Sequence, residues 1–161
     1  SFLTKSYKCE VALTPQPFNL AIRVLGGLIG QDNRTAEVTR THKENLWHYL
    51  SSYSQVELKD KNFFADLMLP YEETSRRLKV LPVSFKVEKK FKTVDLYLFH
   101  GREIKASVVS VDTTLFFRNG DTRKETLNFV KEDGSWKYFL SETPQKVIEF
   151  NQKNIWVFNK K

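Results

Sequence analysis

The chain has 161 residues, enough for one domain with a real core. Its 26 basic and 19 acidic residues leave a formal charge of +7, which permits nucleic acid, an anionic membrane surface or an acidic partner and requires none of them. Cys9 is the single cysteine, so an intramolecular disulfide and a cysteine-based zinc site are excluded, and no apolar run approaches the roughly 20 residues that span a bilayer.

Taken in order, the chain starts at Ser1 without an initiator Met or a signal peptide. That suits a processed or truncated start with an anchor removed ahead of it. Pro15 and Pro17 resist helix before Phe18, so residues 1–17 read as an extended arm. From Phe18 to Ile29 a stripe of Ile22, Leu25 and Ile29 predicts a short helix, ended at Gly30. Gly26-Gly27 weakens it by about 1 kcal/mol per glycine. Asp32 or Asn33 is placed to cap the next helix. Asn33-Arg34-Thr35 also spells a glycosylation sequon and reads as part of that cap.

Val38, His42, Leu46, Tyr49, Leu50 and Tyr53 then recur at three- and four-residue spacing, the buried face of an amphipathic helix, with Trp47 off the stripe. Asp60 caps a helix carrying Phe63, Phe64, Leu67 and Met68, which Pro70 should end. Residues 71–80, with Arg76, Arg77 and Lys79, read as a short polar helix or turn.

Pro82 marks the passage to sheet. Residues 83–99 read as one long strand or two paired ones, with the inward parity changing near Thr93, and His100-Gly101-Arg102 is a turn. Residues 103–140 predict an antiparallel meander of three runs. Asn119-Gly120 and Asp133-Gly134 each suit a type I′ turn, in which both central residues have positive φ. In the first run the apolar positions pass from even (Ile104, Ala106, Val108) to odd (Val109, Val111, Leu115, Phe117). That shift predicts a β-bulge near Val108-Val109. Leu127 and Phe129 share one face of the second run. In the third, Trp136, Tyr138 and Leu140 share one face, and Lys137 and Phe139 the other. The imperfect alternation implies that part of the second face is covered, by a helix or by a partner. Thr143 caps a last helix from Pro144, with Val147, Ile148 and Phe150 apolar. Residues 155–158 are apolar but too short to assign.

Helices followed by a long antiparallel sheet make an α+β pattern. On THKENLWHYL, KNFFADLML and LNFVKEDGSWKYFL, across residues 18–142, the chain resembles the nuclear transport factor 2-like (cystatin-like cone) superfamily. The resemblance implies N-terminal helices packed in the concave face of a strongly curved antiparallel sheet. Residues 143–161 would be a C-terminal extension of the same domain. The segments ALTPQPFN, VTRTHKENLWHYL and FVKEDGSWKYFLSE are also similar to the TraE-type inner-membrane component of conjugative type IV secretion systems. That likeness implies an N-terminal anchor, a periplasmic domain, no cofactor, and a non-catalytic role. Its partners would be further copies of itself, as a homodimer or larger, and other proteins of an envelope complex.

Three sets of residues are candidates for function. The SnoaL-like cyclases of the same superfamily set an Asp or His in the cone cavity, which here points to His42, Asp95 and Asp112 as cavity polar groups. The ordinary reading is a hydrogen-bonded core histidine and two strand-edge aspartates. His42, His48 and His100 lack the spacing of a metal site. Lys86, Lys90 and Lys92 share one parity and could form an anion-contacting stripe. Their ordinary reading is an edge strand guarded by lysines, and nucleic acid is not expected as a partner. Trp47, Phe139, Trp156 and Phe158 fit no buried stripe, which makes them interface candidates. A cavity plugged by Phe64, Phe117 and Trp136 would favour assembly. An open pocket of a few hundred Å³ with convergent polar groups would favour a small-molecule enzyme or carrier.

Overall fold

The computed structural model describes residues 16–26 and 35–159. It shows an α+β domain of six helices and two antiparallel sheets, with helices packed on one face of the larger sheet. The helices are α1 (Gln16–Gly26), α2 (Ala36–Trp47), α3 (Ser52–Leu58), α4 (Lys61–Arg77), α5 (Pro144–Lys153) and α6 (Ile155–Phe158). The strands are β1 (Ser84–Val94), β2 (Tyr97–Phe99), β3 (Arg102–Ile104), β4 (Val108–Phe116), β5 (Thr122–Glu132) and β6 (Ser135–Tyr138). Four strands pair in the order β1-β4-β5-β6, and β2 pairs only with β3.

Helix α1 starts one residue before Pro17, so the arm ends sooner than its prolines suggest. In the first turn of a helix a missing N–H costs nothing, because that group has no partner in the helix. Pro17, Leu20, Ala21 and Leu25 are its buried residues, while Ile22 faces solvent. The rest of the arm, the candidate caps Asp32 and Asn33, and the helix end at Gly27–Gly30 lie outside the described residues. Thr35 is the cap that is seen; its hydroxyl accepts the Val38 N–H at 3.2 Å.

The helix expected from Val38 to Tyr53 is two helices. The chain leaves α2 at His48, and Ser51 recaps it by accepting the Ser54 N–H. Between them, Ser51 donates to the Tyr138 carbonyl at 2.8 Å and the Tyr138 N–H donates to Tyr49 at 2.7 Å. This segment therefore joins β6 as a parallel bridge at Leu50. The buried stripe of α2 is also rotated: Thr39 and Lys43 are buried, whereas Val38 and His42 are exposed.

Asp60 caps α4 as expected, accepting the Phe63 N–H at 2.8 Å. Pro70 does not end α4, which runs on to Arg77 and absorbs the predicted polar turn. Pro70 has no N–H to give the Asp66 carbonyl. One residue on, the Leu67 carbonyl accepts the Asn151 side-chain amide of α5 at 3.0 Å. Helix α5 begins behind the Thr143 cap, as read from the sequence. It packs Phe150 edge-on against Tyr71, with ring centroids 4.9 Å apart.

The strands follow the apolar pattern, but the parity shifts have other causes than those expected. Strand β4 pairs residue for residue with β5, with no bulge at Val108-Val109. Its two faces enter two different cores. Val109, Val111 and Leu115 join Leu127, Phe129, Tyr138 and Leu140 under the helices. Val108, with Val130 and Phe139, joins Phe99 and Ile104 on the opposite face. The hairpin β2–β3 covers that second face, where a helix or a partner was expected. The bulge lies instead in β1, between Val87 and Phe91, so residues 88–90 stand opposite Asp112. Residues 83–99 thus hold two strands that belong to different sheets and do not pair with each other.

The turn at Asp133-Gly134 has both residues at positive φ (+50° and +81°), the type I′ geometry. At Asn119-Gly120 only Gly120 is left-handed (φ +89°). There the Gly120 N–H donates to Phe117, and Phe117 donates to Asp121. This is a three-residue loop with a glycine bulge, not a type I′ turn.

Candidate functional site

Helices α1, α2, α4 and α5 and strands β4, β5 and β6 close a cavity of about 300 Å³, with Val24 and Leu25 as the share of α1. Lys43 and Leu46 come from α2, Met68, Tyr71 and Ser75 from α4, and Phe150 from α5. The floor is Leu115 of β4, Arg123, Glu125 and Leu127 of β5, and Tyr138 of β6, followed by Ser141 and Glu142. The apolar floor follows from strand parity, since Leu127, Tyr138 and Leu140 all face the helices. Phe64, Phe117 and Trp136 pack in or against the same core but do not line this space.

Tyr71, Tyr138, Arg123 and Glu142 are polar groups of the lining, and Glu142 acts on both phenols. Burial pushes the Tyr71 hydroxyl up to about 12, helped by the Glu142 carboxylate and opposed by the Arg123 guanidinium. Burial also raises Tyr138, again with Glu142 beside it, while hydrogen bonds with Ser141 work the other way. Both phenols therefore stay protonated near neutral pH, as hydrogen-bond donors and not as bases. The arrangement offers apolar walls, two phenolic donors, a carboxylate and a guanidinium. It can hold a small molecule with an apolar body and a polar end.

Behind the cavity lies a buried charge cluster between α2 and α4. Lys43 and Arg76 both pair with Glu72, Arg76 also pairs with Glu73, and the Thr39 hydroxyl reaches Glu73 at 3.1 Å. Two cations meet two carboxylates, so the cluster is neutral as a whole. Such a cluster is close to neutral in net stability, but each charge in it is costly to leave alone.

The structure does not bring His42, Asp95 and Asp112 together. His42 is exposed and lines a separate groove of about 460 Å³ with Arg23, His48 and Tyr49. Asp95 lies in the bend between β1 and β2 and is not in a strand. Asp112 points to the outer face of β4, where it accepts the Thr126 hydroxyl at 3.1 Å. Among the described residues, no group of three or more His, Cys, Asp or Glu is placed to hold a metal ion.

Lys86, Lys90 and Lys92 are exposed on β1, an edge of the larger sheet. Lys86 and Lys92 stand opposite Thr114 and Ser110, on the outer face. Lys90 falls in the bulge, so the three do not form one regular stripe. Of the interface candidates, Phe139 is 2% exposed and sits among Tyr53, Tyr97 and Phe99. It is a core residue of the outer face and not an interface residue. Trp47 is half-buried, 5.9 Å from Phe64 between ring centroids. Trp156 is 63% exposed. The side chain of Phe158 lies outside the described residues.

Tyr71, Tyr138, Glu142 and Arg123 were not singled out by sequence reasoning. Tyr138 was placed on its correct face but counted as apolar, and Tyr71 was assigned to a separate turn beyond Pro70. The buried charge cluster was missed as well, and its available signal was the spacing Glu72-Glu73 to Arg76 in one helix against Thr39 to Lys43 in another. Each matches neighbours one helical turn apart, with complementary polarity.

No family model matches the chain, and no curated protein and no solved structure was found to be similar to it.

Proposed function

We propose that the chain is a non-catalytic assembly domain of a bacterial cell-envelope complex, a type IV secretion or conjugative-transfer component that acts through protein–protein contacts. One observation carries it. Trp156 and Ile155 of α6 are 63% and 50% exposed, on a helix that packs at α4. The Arg77 side chain holds the two helices together by donating to the Val157 carbonyl at 2.9 Å. An aromatic held on a fixed element offers a large contact area at small entropic cost. The helices-first order and the antiparallel sheet fit a nuclear transport factor 2-like cone. The sequence resemblance of ALTPQPFN, VTRTHKENLWHYL and FVKEDGSWKYFLSE to the TraE-type proteins is what supports a periplasmic place on the inner membrane. Sedimentation velocity with cross-linking tests the reading. Concentration-dependent association, weakened at least about tenfold by Trp156→Ala, is expected for an anchor residue. A monomer at every concentration, with no cross-linked product, would remove the reading.

The cavity favours a second reading, a carrier or enzyme for a small amphipathic molecule. Its support is the convergence of Tyr71, Tyr138, Arg123 and Glu142 on about 300 Å³ of mostly apolar space. A thermal-shift screen of small molecules tests it. Hits should vanish in Leu127→Trp, which fills the space, and hits that survive the filling count against it.

A further inference from the structure

The segment from Lys86 to Lys105 carries charge and exposed apolar surface together. It holds six basic residues (Lys86, Lys89, Lys90, Lys92, Arg102, Lys105) and three acidic ones (Glu88, Asp95, Glu103), a net of +3 in 20 residues. Along the same run Val94, Leu96 and Leu98 are exposed, Leu96 by 54% and Leu98 by 66%, while exposed Phe91 stands opposite Val111 on the other face. The register explains why. Tyr97 and Phe99 turn inward to the outer-face core, so Leu98 between them points away from the sheet. Val94 stands opposite Val108, which faces that same core, so Lys92 and Val94 share the outer face with the hairpin. The hairpin is held firmly there. The His100 ring lies between the Glu57 carboxylate (2.7 Å) and the Ser141 carbonyl (2.9 Å), stacked on Phe99.

We propose that this β1–β2 rim docks on an anionic lipid surface, with Leu96 and Leu98 entering the headgroup–acyl boundary and the lysines reaching the headgroups. Charge complementarity selects the occupant. A protein interface of this kind would be depleted in lysine at its centre. A nucleic acid would gain nothing from the aliphatic side chains, since phosphate contacts need cations and base contacts need aromatic or hydrogen-bonding groups. A bilayer surface uses both parts: aliphatic side chains enter hydrocarbon while long lysines extend to the phosphates. The inference is independent of the assembly surface at α6, which lies on other elements.

Vesicle flotation tests it, with phosphatidylcholine vesicles beside mixed phosphatidylcholine–phosphatidylglycerol vesicles at low and high salt. The wild type should float with the mixed vesicles at low salt and not with phosphatidylcholine alone. Lys90→Gln/Lys92→Gln should weaken binding about fivefold per lysine. Leu96→Ser/Leu98→Ser should weaken it at least about tenfold while leaving the circular dichroism unchanged, because both leucines are exposed. Failure to float with the mixed vesicles at low salt overturns the proposal. So does binding that the leucine pair leaves intact, which would be an electrostatic patch without insertion. Tighter binding to duplex DNA than to the mixed vesicles would also overturn it, and would assign the face to nucleic acid.

Discussion

The inner face of the four-stranded sheet is buried by helices, with sixteen buried apolar side chains in one cluster and a neutral charge network behind it. The outer face is buried by one short hairpin, with five. There Tyr53 stacks on Phe139 and Tyr97 on Phe99, Phe139 meets Tyr97 and Phe99 at a tilt, and polar ties run from His100 to Glu57 and Ser141 and from Asn128 to the Tyr97 hydroxyl. The larger core distributes its stability over many contacts, so it tolerates a cavity and buried ions. The smaller one depends on each ring, and its loss would free the hairpin without unfolding the sheet. Stability should therefore differ between the two sides of one sheet.

The largest effect expected is on the outer side. Phe139→Ala should cost about 3–5 kcal/mol. Hydrogen exchange should show amides of Tyr97–Ile104 losing protection before those of β4 and β5. Equal loss of protection on both sides would show that the two cores unfold as one and would erase the contrast. Next comes the charge network of the inner side. Lys43→Met leaves Glu72 buried with Arg76 alone and should cost about 3 kcal/mol in urea denaturation. The double variant Lys43→Met/Glu72→Leu should recover most of that, since Arg76 and Glu73 still pair. A double variant as unstable as the single would show that the network is worth more than its parts.

The smallest effect is on pH dependence, again on the inner side. Tyr71, pushed up to about 12, and Tyr138, also raised, keep their protons longer in the folded than in the unfolded chain. Their contribution is complete below pH 10 and is lost as pH rises from about 10 through about 12. Tyr71→Phe should flatten the alkaline arm of the stability curve. An unchanged slope would mean that the hydroxyl is better solvated than its surroundings imply.

How much of this could be read from the sequence depended on how local the chemistry was. The caps Asp60 and Thr143 and the turn at Asp133-Gly134 were legible, because each depends on a few adjacent residues. The strand parities of Leu127, Phe129, Tyr138 and Phe139 were legible for the same reason. Errors arose where a distant element decided. Thr39 and Lys43 look like a wet face until Glu72 and Glu73 of α4 meet them, so the α2 stripe was placed one position off. Val108 and Val109 look like a bulge until the hairpin is known to bury the even face. Pro70 looks like a stop until Lys43 of α2 and Asn151 of α5 are seen to bond with α4 on either side of it, at Glu72 and at the Leu67 carbonyl. The cavity was the least legible part, because Tyr71 of α4, Arg123 of β5 and the pair Tyr138 and Glu142 come from three separate stretches of the chain.

The parallel bridge of Leu50 to β6 has a consequence for how such sheets can multiply. Ser51 and Tyr49 take up the hydrogen bonds that the Tyr138 backbone would otherwise present to another chain. Among the described residues, that leaves β1 as the exposed margin of the larger sheet, and it carries a bulge and lysines. At Tyr138 strand addition by another copy is blocked, and a copy approaching β1 instead meets a bulge and lysines that oppose flat pairing.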